Sequence, residues 1–160
     1  MSFQERNEIS PSLIEVSVIA HATENLKKVK KAVLNILPQE DQASASFSIQ
    51  ALKGHHGNPI FMIKTNLKNL SRNFLDFLFK ALSTEDKNKL FNEINNHIDK
   101  ECNLYVRLDK QAAFIGEARI KQEDPIRIRM KFKNWKRSKL LKTLQELLKN
   151  EEILRSSFKA

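Results

Sequence analysis

Ile126-Arg127-Ile128-Arg129-Met130-Lys131-Phe132-Lys133 alternates apolar and basic residues without a break, and a period of two sustained this long predicts a β-strand. Successive strand side chains point to opposite faces. Ile126, Ile128, Met130 and Phe132 therefore predict a core-facing side, and Arg127, Arg129, Lys131 and Lys133 an open row spaced by about 6.5 to 7 Å. Asp124-Pro125 punctuates the chain just before the run, and proline, which has no amide hydrogen, suits the first residue of a strand. A row of like charges repels itself, so it is best retained where the face meets a counter-charge, and a run of backbone phosphates is the obvious one. A sheet edge guarded by charge against pairing with other edges would explain one or two of these residues. It explains four in register less well.

The surrounding charge agrees. The net charge is +9, but residues 1–100 carry 13 Lys and Arg against 11 Asp and Glu, whereas residues 101–160 carry 15 against 8. The excess lies in the C-terminal third and points to a polyanion, nucleic acid or an anionic membrane surface. Arg119, Lys121, Lys136, Arg137, Lys139 and Lys142 extend the basic cluster on either side of the strand. Trp135 lies within it, where an indole can stack on an unpaired base or pack on the apolar side of the next helix, the commoner fate of tryptophan.

Working outward, Leu140, Leu141, Leu144, Leu147 and Leu148 recur at helical spacing and predict a closing helix over 137–149, with residues 151–160 a tail or its extension. Upstream, Leu104, Val106 and Leu108 alternate with Tyr105 and Arg107 as a strand, and 114–120 reads as a further short strand. Two amphipathic helices precede these, one over 70–81 and one capped by Ser83, with Leu90, Phe91, Ile94 and Ile98 as its stripe. Phe47 to Leu67 predicts a hairpin around the turn Gly54-His55-His56-Gly57-Asn58-Pro59. Before it come a polar loop over 39–44, a helix capped by Thr23 and stopped by Pro38, and a buried strand over 13–21. The order predicts one α+β domain over residues 11–150, a mainly antiparallel sheet with helices on one face, preceded by a tail over residues 1–10.

Several function classes drop out. Cys102 is the single cysteine, so it supports neither an intrachain disulfide nor a zinc knuckle. No apolar run reaches the length of a membrane span and the N-terminus is polar, which predicts a cytoplasmic protein. The basic residues lack the adjacent exposed apolar stripe of a membrane-surface helix. No phosphate-binding glycine loop or nucleophile elbow is present. His55 and His56 are the most enzyme-like pair, since neighbouring imidazoles can shuttle protons in phosphodiester chemistry. Adjacent positions rarely converge on one metal, though, and the flanking Gly, Asn and Pro account for a turn. His21 and His97 read as ordinary surface or core residues, and Asp109-Lys110 as a turn.

Four segments, His21-Ala22-Thr23-Glu24, Gly54 to Ile60, Leu104 to Gln111 and Asp124 to Arg129, occur in the same order as in, and resemble, the archaeal RNA-binding proteins described as predicted exosome subunits. The resemblance covers roughly residues 11 to 150. It implies the α+β fold of the large-subunit ribosomal protein that binds 5S ribosomal RNA, RNA binding without catalysis, and an exosome link. The family's strongest positions fall on Gly54, His55, Gly57, Asn58, Pro59, Arg107, Asp109, Lys110 and Gln111, while His56 stands where the family commonly has an aromatic residue.

Residues and resemblance together predict a non-catalytic RNA-binding protein, an accessory factor in RNA processing or degradation. Its expected RNA contacts are Arg127, Arg129, Lys131, Lys133, Lys121, Lys136, Arg137, Lys139, Arg107, Lys110, His55 and His56, with no metal or cofactor, and its expected partners are RNA and exosome or ribosome components. The rival readings are an RNA-processing enzyme built on His55 and His56, and an adaptor whose basic face docks an acidic protein or the ribosome.

Overall fold

The computed structural model describes residues 9–68 and 74–159, except for the side chains of His55 and of residues 150–159. Its centre is β1 (Leu13–Ala20), whose residues alternate between half-buried and buried, with Ile14, Val16, Val18 and Ala20 turned inward. Both edges of β1 are occupied by antiparallel neighbours. On one side lies the hairpin β2 (Phe47–Lys53) and β3 (Pro59–Leu67), and on the other β5 (Pro125–Lys131) followed by β4 (Asn103–Asp109), giving the order β2-β3-β1-β5-β4. The alternating run is thus an inner strand, begun by Pro125 as expected and ending at Lys131, so that Phe132 and Lys133 lie beyond it. Because β5 is paired along both edges, its charges guard no edge, and that explanation of the basic row falls away.

Register aligns the apolar sides. Thr65, Val16, Ile128 and Val106 form one transverse row on the buried face. Packed over that face are α1 (Leu26–Asn35), the single turn α2 (Gln39–Gln42), α3 (Phe74–Ala81), α4 (Thr84–His97), α5 (Lys110–Phe114) and α6 (Arg137–Lys159). Val29, Val33, Leu78, Phe79, Leu90, Ile94, Leu140 and Leu144 bring their apolar stripes into one core with the strands, each large side chain contributing roughly 1.5 to 3 kcal/mol on burial. No helix among the described residues is long and apolar enough to cross a membrane.

Local chemistry explains where the structure departs from the sequence expectation. Asn25, not Thr23, caps α1, its Oδ1 accepting from the Lys27 and Lys28 amides. The loop over 39–44 contains α2. The stretch 114–120 forms no strand: α5 takes up Phe114, Asp109 accepting from the Gln111 amide to start a helix too short to show periodicity. Only Ile120 of that stretch bridges to the sheet, at Leu108. Ile9 is buried in the core, so the domain begins before residue 11. Leu70, in the second helix as read from sequence, lies outside the described residues. Ser83 caps α4 as expected, and α6 runs on to Lys159, the helix extension that is one of the two readings of 151–160.

Candidate nucleic-acid interface

The sheet face away from the helices is open, and register determines what stands on it. One transverse row crosses all five strands as Ser48, Lys64, Ser17, Arg127 and Arg107. Neighbouring strands lie about 4.8 Å apart, so Lys64 and Arg107 are roughly 14 Å apart at their backbones. The next row toward the other end reads Asn66, Glu15, Arg129 and Tyr105, and beyond it Lys131 pairs with Leu13 and Asn103. Arg127 and Arg107 are exposed. Arg107 donates to Gln122 Oε1 at 3.2 Å, while Arg127 has no ion-pair partner among the described residues. Arg129 differs: its guanidinium meets Glu15 at 3.0 Å, and the same carboxylate takes Lys64 at 3.4 Å. The expected row is therefore present but partly neutralised within the chain.

Other expected contacts divide by position. Lys121 is exposed beside β4, its amide bonded to the Arg107 carbonyl, and Lys133, Lys136 and Lys139 are exposed around the start of α6. Lys139 lies 6.0 Å from the Trp135 ring, which is half-buried against the core, as the packing alternative anticipates. Arg137 is committed elsewhere, donating to Asn95 O, Asn95 Oδ1 and Ile98 O at the end of α4. His56 is exposed in the left-handed region (φ 63) within a short 3-10 turn that also contains the His55 backbone. Glycine at 54 is required sterically, since a Cβ there would meet Asn58 O and Ile60 Cγ2 at 2.9 Å. Gly57 has φ +77, a conformation that glycine adopts freely. The motif residues Gly54 and Gly57 thus have their explanation in the shape of the hairpin.

Lys110 is engaged within the chain. It is 8% exposed, and its ammonium donates to the Ile19 carbonyl at 2.8 Å, Glu24 Oε1 at 3.0 Å and Asp124 Oδ2 at 2.9 Å. His21, expected to be unremarkable, joins this cluster with Nε2 3.0 Å from Asp124 Oδ1. Three of the four sequence segments that carry the family resemblance thereby meet in space. Ligand atoms of His21, Glu24 and Asp124 lie within 4.8 Å of one another, a spacing a metal ion could use, but the Lys110 ammonium already supplies the positive charge between the two carboxylates. Burial alone would raise the Asp124 pKa; hydrogen bonds and charge from Lys110 and His21 outweigh it and hold the carboxyl below its ordinary value. Asp124 also takes up φ 45, the left-handed conformation that aspartate tolerates better than most residues. No sequence spacing announces this cluster, because its members come from three distant turns.

At the other end, Tyr105 is 40% exposed on the open face and donates to Asp99 Oδ2 at 3.0 Å. Slight burial and the Asp99 carboxylate raise the phenol pKa. Asp99 itself titrates below its ordinary value: burial opposes this, and the Asn103 amide and side chain, the Tyr105 hydroxyl and the Glu101 amide together prevail.

A family model described as RNA binding matches residues 13–132. RNA-binding protein PAB1135 of Pyrococcus abyssi is 33% identical over 146 residues, which are 87% of this chain and 94% of that protein. Among solved structures, protein AF2318 from Archaeglobus fulgidus superposes with a TM-score of 0.72 at 27% identity, covering 86% of this chain and 99% of that one. Mth689, a DUF54 protein from Methanothermobacter thermautotrophicus, gives 0.70 at 26% identity, covering 86% and 98%.

Proposed function

The chain belongs to the family described as RNA binding, and from that premise we propose that it binds RNA without catalysis through the open face of its sheet. The observation that carries the proposal is Arg127. It is exposed on that face, in one row with Arg107 and Lys64, and has no acidic partner among the described residues. Such a row meets phosphates, which fix position and carry little sequence information. Lys121, Lys131 and Lys133 extend it, with Lys136 and Lys139 at the start of α6. Lys110 and Arg137 belong to the scaffold, and Arg129 contributes less because Glu15 already holds it.

The test is a fluorescence titration of single-stranded RNA over a salt series. Wild-type affinity is expected to fall linearly on logarithmic axes, and Arg107→Ala with Arg127→Ala together to flatten the slope by about 1.4, the release of two counterions. Unchanged affinity and slope in the double variant would remove this surface. As an accessory factor in RNA processing or degradation, a finer role suggested by the family resemblance, the protein would recover exosome or ribosome components in a pull-down. Treatment with nuclease separates partners bridged by RNA from those docked directly.

A further inference from the structure

A groove of about 180 Å³ opens on the same face where the 121–124 segment curls against the start of β5. Its apolar walls are Ile19, Met62 and Pro125, and its polar rim is Gln122, Asp124 and Arg127. That volume is well below what a drug-sized ligand occupies, and it suits one planar ring system. The geometry points to a subsite for a single unpaired guanine of the bound RNA, seated on Ile19 and Met62 with its Watson-Crick edge on the Asp124 carboxylate.

The inference rests on the RNA-binding reading and adds base recognition to it. An ionised carboxylate only accepts, with about four lone-pair positions. Lys110 and His21 fill one on each oxygen of Asp124, and the side chain remains about half exposed, so one acceptor per oxygen is left and the group is held in place from behind. Guanine is the base that offers two N–H donors side by side, N1–H and the N2 amino group, matching a carboxylate as an arginine fork does. Adenine and cytosine set a ring-nitrogen acceptor beside their amino group, and uracil flanks its one N–H with carbonyls, so each turns a lone pair toward a carboxylate oxygen. Gln122 uses its carbonyl on Arg107, which leaves its amide N–H groups to donate to a base oxygen or nitrogen. Arg127 at the rim takes a neighbouring phosphate. The thioether of Met62 adds a polarisable contact to the ring.

The experiment measures anisotropy of labelled single-stranded RNA decamers, all uridine except for one central guanosine, inosine, adenosine or cytidine, together with decauridine. The guanosine decamer is expected to bind roughly five- to hundredfold tighter than the adenosine and cytidine decamers, the usual worth of one bidentate contact. Inosine, which keeps N1–H and lacks the N2 amino group, should fall between. Asp124→Asn should bring the guanosine-to-decauridine ratio close to one, read as a ratio within the variant so that general changes cancel; if that variant does not fold, the inosine step on the wild-type protein decides. Arg127→Ala should weaken all five oligomers alike. Equal wild-type affinity for all five with salt dependence intact overturns the guanine subsite and leaves the phosphate-binding face standing. Absence of salt-dependent binding to any of them overturns both.

Discussion

The two ends of the open face place an arginine of the same strand near a carboxylate, with opposite results. At the Arg129 end Glu15 stands on the face itself and holds both Arg129 and Lys64. At the Arg127 end the nearby acid is Asp124, which lines the same groove but is engaged by Lys110 and His21. Arg127 is left with its charge directed to solvent. The polarity of a surface is thus decided by which cation each carboxylate is committed to, and counting charges along a strand does not reveal it.

The largest expected effect tests that commitment. Lys110→Met removes a buried ammonium and leaves Glu24 and Asp124 facing each other without a counter-charge, and breaking such a pair costs about 3 kcal/mol, the low end applying because both carboxylates reach water. Urea unfolding at neutral pH measures it. The pH dependence has a definite sign. The folded pKa of Asp124 is lowered, so its stabilising contribution is complete above the unfolded value of about 3.9 and is lost as the pH falls through the lower folded value. In Lys110→Met the loss of stability below about pH 4 should be smaller than in the wild type. Equal acid limbs would show that Lys110 does not hold Asp124 in its charged form.

Next in size is the contrast between single variants of the two arginines. Arg127→Ala should lower RNA affinity and reduce the logarithmic salt slope by about 0.7, one single-strand counterion. Arg129→Ala should change the slope by less than half as much, since Glu15 already neutralises the charge it removes. Equal slopes for the two would erase the distinction between the ends. Glu15→Gln runs the comparison in reverse: with the carboxylate gone, Arg129 and Lys64 are released, and the Arg129 end should come to resemble the Arg127 end. Affinity should rise and the slope should steepen by up to about 1.4.

Much of the fold was legible because it repeats. The alternation of Ile126 to Phe132, the stripe Leu140 to Leu148 and the glycine turn at 54–59 each carry a local rule that the structure keeps. Failures came where a helix was too short to have a period, as in Lys110 to Phe114, or where two nearby residues could both cap, as Thr23 and Asn25. The site was less legible still. The alternation showed that Arg127 and Arg129 share a face, but the register that sets Glu15 opposite Arg129 and Ser17 opposite Arg127 is a long-range property with no trace in either strand. The engagement of Lys110 was hidden for the same reason, since its partners Glu24 and Asp124 lie in other turns of the chain.

The smallest effect concerns what fixes the Arg129 end. Tyr105→Phe removes one hydroxyl, which donates to Asp99 from an exposed position, and should cost about 0.5 kcal/mol because water replaces most of that bond. Stability alone therefore says little. Asp99 is more informative, since the Tyr105 hydroxyl is one of the donors that keep its pKa lowered against the opposing effect of burial. Without it the Asp99 pKa should move up toward the ordinary carboxylate value, a change that side-chain carboxyl NMR titration resolves. RNA affinity should hold, because the phenyl ring keeps its place beside Arg129 while the phosphate-binding cations lie on the neighbouring row. A marked loss of affinity in Tyr105→Phe would show that the hydroxyl itself contacts the RNA, and the Arg129 end would then be as much a part of the interface as the Arg127 end.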